Sequence, residues 1–163
     1  RLFSLDSEKD RGMLECENLR DIVWLGLRVC GIGSSGAYVC DDKGKLKGKC
    51  DFSGKITGKF GVLDKKLIIE VREHAYGGKG DVYILDDGLD IKDRISPGGE
   101  LWYLDCRGEK TALLTQNGVS VYDGKARLVL SEKAPGAKMA LLDGNGGIIA
   151  VGGGSVCAIN NRR

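Results

Sequence analysis

A short strand-like run closed by Asp or Asn recurs five times along the chain, and this repeat constrains the fold more than any other feature. The matches are LFSLDS, AYVCDD, VYILDD, VSVYDG and VCAINN. Their closing residues Asp6, Asp41, Asp86, Asp123 and Asn160 stand 35, 45, 37 and 37 positions apart. A unit of about 40 residues built from short strands cannot bury its apolar face alone, so it must stack on its neighbours. That period with several strands per unit predicts an all-β β-propeller. A β-trefoil also repeats near this length, but it has three repeats, whereas one strand type recurs five times here.

The residues between the matches supply the other strands of each unit. A second β-rich run precedes four of the matches, at 27–32, 67–71, 111–116 and 147–152. Each is joined to its match by a turn-forming stretch: GSSG at 33–36, GGKG at 77–80, Asn117-Gly118 and the glycines 152–154. Asn-Gly and Gly-rich pairs accept the positive φ that tight hairpins demand. Runs at 21–25, 56–63, 101–105 and 139–142 read as first strands, and 45–52, 89–95 and 126–132 as fourth strands. The expected architecture is about four blades of four antiparallel strands over residues 1–163, taken as one domain. The order is two strands of one blade, three whole blades and three strands of a last one. No stretch keeps a 3.6-residue apolar period, so no helix is predicted. Strand alternation places Val82, Ile84, Val119, Val121, Val156 and Ala158 between blades or lining their faces.

Composition agrees with tight turns. Glycine occurs 26 times and proline only twice. Charged residues make up 29% but nearly cancel, to a formal net charge of +2, which gives no bulk attraction to nucleic acid or membrane. No apolar run reaches the ~20 residues of a membrane helix. Six cysteines without CxxC or CxxCH spacing exclude a zinc ribbon, a redox motif and haem attachment. They point instead to disulfides, hence to an extracytoplasmic location or to the cytoplasm of a hyperthermophile, and the single Gln116 leans towards the thermophile. The proposed bridge joins Cys30 and Cys40, symmetric about Ser35 on paired strands; Cys40 with Cys50 is the alternative. The first residue is Arg1, which is read as the start of a processed, excised or cloned segment.

Few motifs carry chemistry. LLDGNGGIIAVGGG (141–154) offers Asp143 and Asn145 as calcium ligands, but Gly147 stands where another carboxylate is needed, and a plain Asp-Gly turn explains the same residues. Lys43, Lys45, Lys47 and Lys49 alternate, as a phosphate-binding strip would, yet on a fourth strand lysines protect an exposed edge. His74, the only histidine, lies in a Gly-rich loop with Tyr76, and no nucleophile-elbow serine exists to partner it. The repeated Asp6, Asp41, Asp86 and Asp123 are read as turn formers whose carboxylates bond nearby amides. Gly31, Gly33 and Gly36 imitate a dinucleotide loop, but between two strands and without the helix that motif requires.

RLFSLDSEKDRGMLECEN, AYVCDDKGKLKGKCDF and GGGSVCAINN resemble the pyrroloquinoline-quinone-like repeat of quinoprotein-type propellers, in which an apolar strand ends in Asp, a short turn follows and the next strand begins. That family includes quinone-dependent alcohol dehydrogenases and non-enzymatic outer-membrane assembly propellers, and it usually builds eight blades. The resemblance implies half a ring here. The first functional reading is therefore a non-catalytic scaffold, without cofactor, that binds a protein partner or a second copy of itself to complete a ring. The alternative is an enzyme or binder holding a quinone or another small ligand in the central channel. A closed four-bladed ring that uses residues 1–19 for its last strand is the competing picture of assembly.

Overall fold

The computed structural model describes residues 18–75 and 77–159, and the backbone of two short strands, β1 (Leu2–Phe3) and β2 (Asp10–Gly12). Asp6, Asn160, Cys16 and Tyr76 lie outside the described residues.

Every described element is a β-strand. The first blade is β3 (Asp21–Leu25), β4 (Arg28–Ile32), β5 (Gly36–Cys40) and β6 (Leu46–Asp51). The second is β7 (Ile56–Leu63), β8 (Lys66–Arg72), β9 (Gly80–Leu85) and β10 (Ile91–Ile95). The third is β11 (Leu101–Arg107), β12 (Lys110–Thr115), β13 (Gly118–Asp123) and β14 (Leu128–Glu132). A fourth sheet has three strands, β15 (Met139–Leu142), β16 (Ile148–Gly152) and β17 (Ser155–Ile159). Each sheet is an antiparallel meander in chain order, and β1 pairs with β2 in a separate two-stranded sheet. The expected sequence of two strands, three whole blades and three strands is what forms.

The blades stack face to face, and alternation along each strand supplies apolar residues to both neighbours. Cys30, Ile32, Ala37 and Val39 of blade one meet Leu67, Ile69 and Val71 of blade two. The opposite side of blade two gives Ile68, Val82 and Ile84 to Leu101 and Leu113 of blade three. Blade three in turn gives Ala112, Leu114, Val119 and Val121 to Ala140, Leu142, Ile148 and Ala150 of blade four. Both faces of the two middle blades are thus buried, which explains continuous apolar runs such as Leu67-Ile68-Ile69.

The turns follow from the repeated Asp. Oδ1 of Asp41 accepts the amides of Lys43 and Lys45 at 3.0 and 2.9 Å, and Asp86 does the same for Gly88 and Asp90, both at 2.9 Å. Asp123 accepts those of Lys125 and Arg127 at 2.9 and 3.0 Å. Asp143 repeats the motif with Asn145 and Gly147 at 2.8 and 2.7 Å, so this carboxylate closes its own turn. The fourth residue of each turn is left-handed: Gly44, Leu89, Ala126 and Gly146 have φ of 76, 68, 57 and 81°.

Two expectations are corrected. The bridge between Cys30 and Cys40 does not form, and no pair of described cysteines is bridged. The hairpin turns on two residues, Ser34 and Ser35, with the amide of Gly33 donating to the carbonyl of Gly36 at 2.8 Å. The symmetry point falls between the serines, one half-step from Ser35. Cys30 therefore faces Val39 and Cys40 faces Val29, on opposite sides of the sheet. Cys50 faces Ala37, which also rules out its pairing with Cys40. The second correction concerns β17. Val82, Ile84, Val119 and Val121 are buried as expected, but Val156 is 68% exposed and Ala158 is exposed too. Among the described residues, no further sheet lies against that side of blade four.

Candidate interaction surface

The side of blade four turned away from blade three is an apolar sheet face. Met139, Val151 and Val156 stand in one cross-strand row, and Leu141, Ile149 and Ala158 in the next. Met139 and Val156 are among the exposed large hydrophobics of the molecule. At the other end of the stack, blade one exposes Trp24 (65%), Leu46 (53%) and Ile22 (52%) on the side turned away from blade two. On blade four this apolar area is contiguous, which is rare on a surface without a partner, whereas on blade one the buried Val29 and Cys40 stand between Trp24 and Leu46 in their row.

The outer edge of blade four is also distinctive. In blades one to three the third strand is covered by a fourth, whereas β17 has no outer neighbour among the described residues. Beside this edge lies a pocket of about 170 Å³, lined by Ala134, Pro135 and Ala137 from the connector between blades three and four and by Ala150, Ser155 and Cys157 from blade four. The repeat explains the space. Phe52 stands 11 positions after Asp41, and Ala134 stands 11 after Asp123. Tyr83 stands three before Asp86, and Cys157 three before Asn160. Between blades one and two, the rings of Phe52 and Tyr83 fill the joint with centroids 5.8 Å apart. Between blades three and four, Ala134 and Cys157 hold the same places and leave it open. Only the repeat register could have revealed this pair in advance; neither residue stands out by type.

One edge of the stack carries the Asp turns and a repeated tie between blades. Arg28, Lys66 and Lys110 each stand two positions after a left-handed turn residue: Gly26, Asp64 and Gly108. Each reaches the next blade's Asp turn. Arg28 donates to the Asp87 carbonyl at 2.7 Å, Lys66 to Gly124 at 2.6 Å and Lys110 to Gly146 at 3.5 Å. A depression of about 220 Å³ lies beside the middle tie, with Lys66, Glu109, Asp123 and Arg127 on its walls. On its wall the Arg127 guanidinium grips Oδ2 of Asp123 at 2.6 Å. That pair, with the amides of Arg127 and Lys125, pulls the Asp123 carboxyl down to about 2.

The remaining candidates are dispersed. Lys47 pairs with Asp41 at 3.0 Å, and Lys49 pairs with Asp51 at 3.6 Å while its ammonium lies 5.4 Å from the Tyr38 ring centre. Lys47 and Lys49 thus lie on the fourth strand β6, each paired with a carboxylate, while Lys43 and Lys45 lie in the Asp41 turn before it. His74 is exposed on the loop between β8 and β9. Asp41, Asp86 and Asp123 occupy separate turns, and among the described residues no group of three His, Cys, Asp or Glu could hold a metal. No described helix is long and apolar enough to cross a membrane.

Solved structures share this arrangement. BamB from Moraxella catarrhalis superposes on 87% of the chain with a TM-score of 0.60 at 11% identity, and the match covers 44% of its own length. Its fold is a β-propeller. The N-terminal domain of Nup159 matches over 86% of the chain, TM-score 0.59 and 11% identity, covering 40% of that domain. BBS1N, solved in complex with ARL6DN, matches over 88%, TM-score 0.58 and 17% identity, covering 51% of its length. The chain therefore spans about half the length of the solved structures it matches. No protein-family model and no curated protein matches the sequence.

Proposed function

We propose that this chain is a non-catalytic β-propeller scaffold that works by binding protein, and that a second copy of itself is the partner that closes its ring. The observation that carries the reading is the open apolar face of blade four, with Met139, Val151 and Val156 in one row. The exposed Ile22, Trp24 and Leu46 of blade one form an apolar counterpart at the other end of the stack. Joined head to tail, two copies would bury both ends twice and give a ring of about eight blades. The half-length coverage of the solved propellers supports a ring of about twice this size. Protein binding is supported by BBS1N, which was solved with another protein bound.

Sedimentation at micromolar concentration tests the proposal. A dimer is expected, and Val156→Asp should return it to a monomer. A 17.5 kDa species that stays monomeric at all concentrations overturns the ring-closing reading.

A further inference from the structure

We infer that the joint between blades two and three binds one buried water molecule, which bridges Oε1 of Glu70 to Nε of Arg72. The site lies inside the stack, so it is independent of the open face of blade four and of ring closure.

Among the described residues, Glu70 is the only charged one that is fully buried. Its place follows from β8. Ile68, Glu70 and Arg72 alternate onto the side that faces blade three, where Ile68 shares a cluster with Val82 and Leu101. Glu70 stands opposite Val82, and Arg72 opposite Gly80. A carboxylate among such neighbours needs hydrogen bonds to both of its oxygens. The chain is shaped to meet the first need. β7 bulges where Gly58 and Lys59 together oppose Glu70, and the Lys59 amide donates to Oε2 at 3.0 Å. Glycine keeps the space open on two sides. A Cβ on Gly58 would strike the carboxylate, and one on Gly80 would stand 2.7 Å from Cγ of Arg72 and 3.1 Å from Cγ of Glu70.

The second need is not met by the protein. Nε of Arg72 is 3.9 Å from Oε2, near enough for a charge pair but too far for a direct hydrogen bond. The Lys59 ammonium turns instead to the Leu101 carbonyl of blade three, at 2.8 Å. Among the described residues, Oε1 of Glu70 and Nε of Arg72 are the buried side-chain polar atoms that no protein group bonds. One is an acceptor and the other a donor, on adjacent side chains of the same face. That combination specifies the ligand. The guanidinium repels a cation, and the carboxylate repels an anion. A neutral molecule that accepts one hydrogen bond and donates another suits both atoms, and their burial limits it to the size of water. A gap of this length between two polar groups is one that a single water spans.

A high-resolution crystal structure of the whole chain tests the inference. One ordered solvent peak is expected within about 3.2 Å of both Oε1 of Glu70 and Nε of Arg72. In solution, the Arg72 Nε proton should show a nuclear Overhauser cross-peak to a long-lived water in a nitrogen-15-edited spectrum. Arg72→Met keeps the stem and removes the donor, so in its crystals the peak should lose at least about half its occupancy. Three results overturn the inference: no solvent peak at the site, a direct hydrogen bond between Arg72 and Glu70 in its place, or a peak that Arg72→Met leaves at full occupancy. Val156→Asp should alter self-association and leave the peak unchanged, so the two readings fail separately.

Discussion

The ring of Phe52 leans on that of Tyr83, with centroids 5.8 Å apart and planes tilted by 37°, and this contact closes the joint between blades one and two. Both residues belong to the cluster that unites those blades, and Phe52 is buried. Phe52→Ala should cost about 3 kcal/mol of unfolding free energy. Urea denaturation followed by tryptophan fluorescence measures it. A loss below about 1 kcal/mol would show that the joint closes without the ring.

Glu70 and Gly58 share one space. The carboxylate is fully buried in β8 and accepts the Lys59 amide at 3.0 Å, across an irregularity between Thr57 and Phe60. A Cβ on Gly58 would stand 2.1 Å from Oε2 of Glu70. Gly58→Ala should therefore destabilise the protein by about 2 kcal/mol through overpacking. Pairing it with Glu70→Ala should recover part of that loss, a coupling that a double-mutant cycle reads directly.

Two valines on the same face of their blades' third strands should respond in opposite ways. Val121 is buried between blades three and four, and Val156 is on the open face. Val121→Asp buries an unpaired charge and should remove several kcal/mol, about 3 or more, a large part of the stability of a typical domain. Val156→Asp should leave the monomer's melting temperature within about 2 °C of wild type.

The Asp123 turn gives a pH signature. Its carboxyl lies at about 2 in the folded chain, held down by the Arg127 side chain and by the Arg127 and Lys125 amides. A folded value below the unfolded one means that the turn's contribution is fully present above the unfolded value near 4. It is lost as the pH falls through about 2. Carbon-13 NMR titration of the Asp123 carboxyl should give a midpoint near 2, and Arg127→Ala should move it up towards the ordinary range. An unmoved midpoint would transfer the effect to the backbone amides.

The same turn holds Ala126 at φ 57°, where Gly44 and Gly146 serve in the equivalent turns. Ala126→Gly should stabilise the protein by up to about 1 kcal/mol by relieving the left-handed penalty, less the extra entropy lost by glycine. Thermal melting of the two proteins side by side checks the sign. Leu89 occupies the same turn position but is buried in the core, so Leu89→Gly should instead be destabilising.

Much of the fold was legible in the amino-acid order alone. Strand positions and blade order follow from alternation and from turn residues, both local properties: the Asp at 41, 86 and 123 shapes its turn through amides two and four residues away. What the order could not fix was anything set by half a residue of register or by a neighbour distant in the chain. Cys30 and Cys40 missed each other because a two-residue turn displaced the symmetry point and sent their side chains to opposite faces. Val121 and Val156 have the same identity and similar strand surroundings, yet one is buried and the other open, because blade four packs on the first and, among the described residues, nothing packs on the second. The pocket beside Cys157 exists for the same reason: its walls, Ala134 and Cys157, are 23 residues apart, and only the stacking of two blades brings them together. Local chemistry determined the strands; burial, which depends on what stacks against them, was decided by the tertiary structure.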